Sequence, residues 1–334
     1  MVRILKQSIF ENTFIEKICA TLSICIFLLT MTSCEHKELY RPKSNLVSVE
    51  VIFDWKYAPE HSATGMSLYL FPEDGKPSLQ YDFPTAKGGI AEIPSGRYKA
   101  IFINNNSETL LFRGTNSFED FEVYTRTSSL LEPMGVRATP KEIKHKDEPM
   151  TLAPDPFWGG RESLVVIERP LETKAVKDKA EIKITLYPET MSTQYTVNII
   201  NVKNLKYVSN LSMAISGMSS SFFVGTNKSS NNTSSIPFTA EAVPNDSKVT
   251  AKFSNFGRPT KKGQTHTLSF YIVLSDGSKK YYTFDVTDQV NKEIGQVNLK
   301  ITVDGLSLPK PIENGGGLTP TVEDWEDIKE DINM

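Results

Sequence analysis

Cysteine is the residue type in this sequence with the clearest capacity for chemistry. The 334-residue chain has three, Cys19, Cys25 and Cys34, and none follows position 34. A thiol can carry a lipid, form a disulfide or bind zinc, and the last two need a second ligand nearby. The residues that precede Cys34 therefore decide which chemistry applies.

The first 33 residues have the pattern of a leader that is removed after export. Basic residues come first, an apolar run covers residues 18–31, and the small residues Thr32 and Ser33 end the segment. The run is too short to cross a bilayer. Small residues directly before a cysteine resemble the lipobox of bacterial lipoproteins, in which the cysteine thiol is lipidated. Met31 departs mildly from the Leu that this motif prefers, and an ordinary secretory signal next to a cysteine is the alternative. We predict a lipoprotein signal peptide over residues 1–33 and lipidation of Cys34.

Removal of this leader would leave no thiol for a disulfide, a zinc site or a nucleophile, because Cys19 and Cys25 leave with it. The histidines do not replace them, since no two have metal-ligand spacing; they are His36, His61, His145 and His266. No serine elbow or phosphate-binding loop is recognisable either. The sequence therefore predicts no metal, no cofactor and no enzymatic activity.

Aromatic residues outside the strand patterns are the remaining candidates for ligand contact. Trp158 and Trp325 are predicted partner or glycan contacts, because aromatic rings stack on sugar rings. Trp55, Tyr57 and Phe157 belong to the same group of candidates. Packing in cores and joints is the alternative, and it is favoured for Trp55, which continues an inward-facing strand.

Charge and length narrow the class of protein. The formal net charge is −3, and basic residues form no stripe. Nucleic acid is therefore not a predicted partner. The roughly 300 residues after Cys34 suit two domains.

Residues 46–168 alternate apolar and polar residues in short runs, which is typical of half-buried strands. Turn residues such as Pro72-Glu73-Asp74-Gly75 separate the runs. The step from Pro94 to Tyr98 resembles turns in transthyretin-like sandwiches, where Gly96 would allow a positive φ and Tyr98 would cap the core. We predict an N-terminal β-sandwich here, with a Pro-rich excursion near residues 132–163.

Residues 180–305 repeat this pattern, so a C-terminal β-sandwich is predicted. Asp276-Gly277 lies between two alternating apolar runs and gives the strongest hairpin signal in the chain. The Ser- and Asn-rich segment 219–235 is predicted as a long exposed loop. We place the domain boundary at residues 169–179, a tether at 34–45 and a C-terminal tail at 306–334. The predicted fold class is all-β, with two tandem transthyretin-like or immunoglobulin-like sandwiches.

Several stretches together resemble a family of Bacteroidota lipoproteins catalogued as a domain of unknown function. That family is similar in turn to the anchor and tip subunits of fimbrillin-type pili, mainly through a lipobox followed by two transthyretin-like sandwiches. The residues that carry the resemblance are 51–55 with 65–66, 68–75, 201–208, 275–288, and 308–312 with 314–317.

The resemblance implies a lipid-anchored protein of the outer membrane, exposed at the cell surface. Fimbrillin-type subunits join by donating a β-strand to an open sheet edge of a neighbour. The leading hypothesis is therefore a fimbrial anchor or accessory adhesion subunit, with the membrane, fimbrial subunits or a host or bacterial surface ligand as partners. The alternative is a glycan-binding surface lipoprotein of a polysaccharide-uptake system.

Overall fold

The computed structural model describes residues 46–129, 133, 148–168, 182–261, 263–292, 297–311 and the backbone of 326–328. Cys34, His36, His145 and Trp325 lie outside the described residues. Residues from Leu46 onward belong to one compact unit.

The first half of the chain forms short strands where apolar and polar residues alternate. They are β1 (Leu46–Phe53), β2 (Met66–Pro72), β3 (Leu79–Phe83), β4 (Gly88–Pro94), β5 (Gly96–Asn104), β6 (Leu111–Arg113), β7 (Glu122–Tyr124), β8 (Trp158–Ile167), β9 (Ile182–Leu186) and β10 (Glu189–Thr190). One sheet has the order β4-β1-β9 and faces a second with the order β10-β8-β5-β2-β3. The inward residues of β1, Val47 to Phe53 at every second position, are buried between them.

The second half forms another sandwich. Its strands are β11 (Thr193–Lys203), β12 (Val208–Ser219), β13 (Ser221–Phe223), β14 (Lys228–Ser229), β15 (Thr233–Phe238), β16 (Glu241–Val243), β17 (Lys248–Asn255), β18 (Thr267–Leu274), β19 (Lys279–Asp285), β20 (Asn298–Ser307) and β21 (Glu326–Ile328). The described part of this half also contains the α-helix α1 (Thr287–Lys292) and short 3-10 helices at Leu205–Tyr207 and Pro244–Asp246. The sheet β16-β17-β11-β20 packs on the sheet β15-β12-β18-β19-β21. The all-β fold class and its β-sandwiches are thereby confirmed.

The strand pairing puts β9 and β10 in the first sandwich, although the sequence division allotted residues 180–190 to the second. β9 pairs in parallel with β1, from Val49 opposite Ile182 to Phe53 opposite Leu186. β10 pairs with the start of β8. The first strand of the second sandwich is therefore β11, which begins at Thr193.

A small sheet built from both halves joins the two sandwiches. Its order is β14-β13-β7-β6, with Val123 of β7 opposite Phe222 of β13. It covers the outer face of β2 and β5, and an aromatic cluster fills the space between them. The buried cluster contains Tyr69, Phe71, Ile101, Ile103, Leu110, Phe121, Val123, Phe157, Phe222, Val224 and Phe256.

The Ser-rich segment 219–235 is not the exposed loop that its composition predicted. It contains β13, β14 and the start of β15, and Ser219 and Ser234 are fully buried. Ser219 Oγ donates to Ser230 O at 2.8 Å, and Thr151 Oγ1 donates to Ser234 Oγ at 2.8 Å. Such internal partners allow small hydroxyls to be buried, so polarity alone gave a wrong prediction here.

Of two predicted turns, the hairpin at Asp276-Gly277 is confirmed in full and the turn from Pro94 to Tyr98 in part. The Asp276-Gly277 hairpin is confirmed, with Gly277 at φ 82° and Leu274 N donating to Ser278 O at 2.9 Å. Tyr98 caps its turn as predicted, because its buried hydroxyl donates to Pro94 O at 2.6 Å. Gly96, however, is not among the positive-φ residues. A Cβ there would lie 3.1 Å from the Tyr98 hydroxyl, so close approach explains this glycine.

Candidate functional site

Trp158 is buried, and this corrects its prediction as a partner or glycan contact. Its side chain is 7% exposed and packs in the core of the first sandwich. Its backbone N donates to Asn104 Oδ1 at 2.9 Å. An indole in this position has no open face for a sugar ring, so Trp158 supports the fold. The other two predicted site residues, Cys34 and Trp325, are outside the described part of the chain.

Two of the remaining aromatic candidates, Trp55 and Tyr57, follow the end of β1, whereas Phe157 is fully buried in the aromatic cluster under the shared sheet. Trp55 Nε1 donates to Ala86 O at 2.8 Å, and its ring stacks on His61 at a centroid distance of 3.6 Å. Tyr57 is 59% exposed, but Lys56 Nζ lies over its ring at 4.8 Å. Burial lowers the pKa of His61, against a smaller opposing effect of the backbone at Ala63. The Trp55 and Tyr57 rings therefore already have contact partners within the protein, His61 and Lys56 respectively.

The described histidines and carboxylates do not assemble a reaction centre. His266 is 1% exposed, and its Nδ1 lies 3.3 Å from Ser216 O, inside the second sandwich. Within the described ranges, no group of three or more His, Cys, Asp or Glu side chains could hold a metal ion. No helix in the described part of the chain is long and apolar enough to span a membrane.

A cavity of about 690 Å³ lies beside the second sandwich at residues 152–156. Its floor is a stack of buried rings, Tyr195 on Phe253 at 5.3 Å and Phe253 on Phe238 at 4.0 Å. Burial raises the pKa of Tyr195 far above its ordinary value. Trp158 does not line this cavity.

Strand edges say more than this cavity about partner binding, because another chain can add a strand at an unpaired edge. Several edges of the second sandwich are closed. Thr151 N donates to Ser235 O at 3.1 Å, and Ser235 N donates to Pro149 O at 2.9 Å, so the 149–151 segment covers part of β15. The strand β21 pairs with β19.

The outer edge of β8 is open among the described residues. β10 pairs only with Trp158 and Gly159, so Glu162–Ile167 pairs with β5 on one side and with no described strand on the other. Leu164 and Val166 on this stretch are 46% and 37% exposed. We call Glu162–Ile167 the β8 edge. It combines unpaired main-chain groups with exposed apolar side chains.

The architecture defines the class of protein: the chain is a tandem β-sandwich protein whose halves share a small sheet. It belongs to the family of the domain of unknown function DUF5119, whose sequence profile matches residues 33–239.

The chain is also similar to named proteins of Bacteroides and Porphyromonas. A Bacteroides ovatus protein named as a candidate fimbrium anchoring subunit, Fim4B, is 25% identical over 331 residues, which cover 89% of this chain and 92% of the relative. The crystal structure of a candidate adhesin from Bacteroides ovatus superposes with a TM-score of 0.60 at 21% identity, over 80% of this chain and 94% of that one. This second similarity establishes the fold. The fimbrial anchor protein Mfa2 of Porphyromonas gingivalis is more distant, with a TM-score of 0.45 at 15% identity, over 78% of this chain and 90% of that one.

Sequence reasoning identified the strand that forms the β8 edge but not its exposure. Leu164 and Val166 fit the strand pattern, yet which side of β8 lacks a partner depends on how the chain returns to β9. The sequence signal for this exposure was the polar character of Arg161 and Ser163, which lie beside Leu164 and Val166 on the same strand.

Proposed function

We propose that this chain is a lipid-anchored, cell-surface fimbrial anchor or accessory subunit with a structural, non-enzymatic role. The observation that carries the proposal is the 25% identity to the candidate anchoring subunit over 92% of that relative's length. The lipid would be attached at Cys34 and would hold the protein in the outer membrane.

The anchor meets the fimbrial subunit by β-strand pairing, and the β8 edge is the accepting edge. Main-chain groups on Glu162–Ile167 supply hydrogen bonds that do not depend on the partner's sequence, while Leu164 and Val166 give apolar contacts that fix register. The occupant is an extended segment of a fimbrial subunit with apolar residues at alternate positions.

The test places charge on the accepting edge. Leu164→Lys with Val166→Lys should weaken strand addition, because lysines on an edge strand repel a further apolar strand. Cells that carry this double variant should release fimbriae into the medium, measured by immunoblotting of the major fimbrial subunit in cells and medium.

Leu111→Lys is the matched control, since Leu111 is 40% exposed on β6 and lies away from β8. It should leave fimbriae attached. Full retention of fimbriae by the β8 double variant would reject this edge. Fimbriae that stay attached after deletion of the whole gene would reject the anchoring role itself.

A further inference from the structure

The outer face of β2 and β3 carries a row of polar side chains beside the shared sheet. Ser67 lies opposite Asp82 and Tyr69 opposite Gln80 in the antiparallel pairing of these strands. The intervening residues Leu68 and Leu70 point into the core of the first sandwich. Since strand side chains alternate between faces, the four polar residues share the outer face.

The shared sheet covers only part of this face and leaves a cleft of about 530 Å³. Leu110 and Phe112 line one side, next to the polar residues on β2 and β3, and Asn105 lines the end of the cleft. The Phe112 ring is held by Phe121 at a centroid distance of 5.9 Å. A concave site of this size, with an aromatic wall and convergent polar groups, suits a small ligand or one unit of a larger one.

Asp82 is held in a fixed orientation without a compensating positive charge. Its Oδ1 accepts hydrogen bonds from Ser67 Oγ at 2.5 Å and from Gln80 Nε2 at 3.1 Å. It has no ion pair among the described residues, and the cleft lining contains no Lys, Arg or His. The cleft therefore presents hydrogen-bond acceptors and amides but repels anions.

Tyr69 adds a donor that the protein does not use. The residue is 6% exposed, and its ring packs against Phe121 at 4.8 Å. Its hydroxyl makes no hydrogen bond with another described residue, and Tyr69 lines the cleft, so the hydroxyl can donate to a ligand there. Burial, and then the charge of Asp82, raises the pKa of Tyr69, so the hydroxyl stays protonated at neutral pH.

We propose that this cleft, built around Tyr69, Gln80 and Asp82, binds a neutral carbohydrate. A carboxylate beside amide and hydroxyl groups matches the paired donors and acceptors of vicinal sugar hydroxyls, and an aromatic wall suits the apolar face of a sugar ring. Uronic and sialic acids are excluded by the unpaired charge of Asp82. The cleft lies on β2 and β3, and β5 separates these strands from β8 in the same sheet, so the site is distinct from the β8 edge and from the proposed anchoring role.

The test is binding of the full chain, purified from membranes, to an array of immobilised oligosaccharides. The array carries glucose-, galactose-, mannose- and N-acetylglucosamine-terminated glycans, with uronic- and sialic-acid-terminated glycans alongside. We expect binding to at least one neutral group and none to the acidic ones. Asp82→Asn and Tyr69→Phe should each weaken that binding about tenfold, because each removes one hydrogen bond to the ligand.

Asp74→Asn is the matched control, since this carboxylate lies in the exposed turn between β2 and β3 and should leave binding unchanged. Thermal unfolding of each variant checks the fold. The proposal is overturned if no neutral glycan binds, if only acidic glycans bind, or if Asp82→Asn and Tyr69→Phe bind as the wild type does. Fimbrial retention should be unaffected by Asp82→Asn, so failure of this proposal and failure of the anchoring proposal are distinguishable.

Discussion

Gln289 closes the outer edge of β20 through a two-way contact with the backbone of Thr302. Its Nε2 donates to Thr302 O at 2.9 Å, and its Oε1 accepts from Thr302 N at 2.8 Å. One side-chain amide thus occupies the donor and acceptor that an added strand would use. β20 is ten residues long and, among the described strands, pairs only with β11. The Gln289 contact therefore blocks strand addition near the middle of this edge.

Replacement of this side chain should make β20 an accepting edge. Gln289→Met keeps the bulk but removes both hydrogen bonds, which should cost about 1 kcal/mol of stability. Self-association should increase with concentration, as measured by sedimentation velocity. Lys292→Met, on the exposed side of the same helix, is the control for added apolar surface. A monomeric Gln289→Met protein would show that one amide is not what keeps this edge unpaired.

The shared sheet contains an ion pair that should make stability depend on pH. Glu122 on β7 is 7% exposed, and Arg113 on β6 holds its carboxylate through two hydrogen bonds, with Nη2 to Oε1 at 2.6 Å. Burial is the largest single influence and would raise the pKa of Glu122, but the hydrogen bonds from Arg113 and Ser221 and the positive charge of Arg113 together outweigh it, so the pKa is lowered from its ordinary 4.5.

The lowered pKa of Glu122 determines whether stability rises or falls with pH. A carboxyl with a lower pKa in the folded state stabilises the fold when ionised, so its contribution is complete above the unfolded pKa and is lost as the pH falls through the folded pKa. Urea unfolding between pH 6 and 3 should therefore show less acid destabilisation for Glu122→Gln than for the wild type. Glu241→Gln, in the exposed strand β16, controls for the loss of one charge. Parallel pH curves for wild type and Glu122→Gln would contradict the assignment.

The aromatic cluster under the shared sheet should couple unfolding of the two sandwiches. Phe157 is fully buried, with its ring 5.8 Å from Phe256 and 6.4 Å from Phe222 of the second half. Phe157→Ala should cost about 3–5 kcal/mol and split one calorimetric transition into two. Phe270→Ala, fully buried within the second sandwich, should lower stability without splitting the transition in this way. If Phe157→Ala still unfolds in a single calorimetric transition, the coupling between the two sandwiches does not depend on Phe157.

Local patterns in the sequence predicted most strands and their inward faces. Val47 to Phe53 alternate in burial as expected, and Asp276-Gly277 turns where a hairpin requires it. In β18 the predicted inward residues Leu268, Phe270, Ile272 and Leu274 lie in the core, although Ser269 and Tyr271 between them are also buried. These features depend on neighbours within a few residues, which is why period and turn chemistry reveal them.

Pairing across the chain could not be predicted in the same way. Ile182 and Ile184 fit a strand of either sandwich, and only the return of the chain to β1 assigns them to the first. Ser219 and Ser234 are polar by type yet buried, because their partners come from other segments. The cleft at Asp82 and Tyr69 likewise depends on the register of two strands and on how far β6 extends over them. Contacts between segments that are distant in the chain produce no periodic pattern in the sequence.

Cys34 is the residue on which membrane attachment depends in the proposed function. Cys34→Ser should move the protein from the membrane fraction to the soluble fraction, because the acyl chains supply the membrane affinity. Cell fractionation with mass spectrometry of the mature N-terminus measures this, and Ser33→Thr, which keeps a small residue before the cysteine, is the control. A mature chain that begins elsewhere, with an unmodified Cys34, would reject lipid anchoring at this position.

The tail is expected to support the second sandwich, and its described part is placed for that role. The backbone of β21 pairs in parallel with β19, from Lys280 opposite Glu326 to Tyr282 opposite Ile328.

Deletion of residues 318–334 should leave the outer edge of β19 unpaired and should lower the stability of the second sandwich by about 1–2 kcal/mol, since two or three main-chain hydrogen bonds are lost. Hydrogen exchange of the β19 amides, residues 279–285, measures this directly, because amide protection reports local opening. Deletion of residues 330–334 alone, which retains β21, is the control and should preserve protection, and membrane attachment should persist in both. If deletion of 318–334 instead leaves protection unchanged and abolishes assembly with a fimbrial subunit, the tail is a donor strand. An anchor at the end of a fibre has to accept a strand, so that result would count against the anchor assignment.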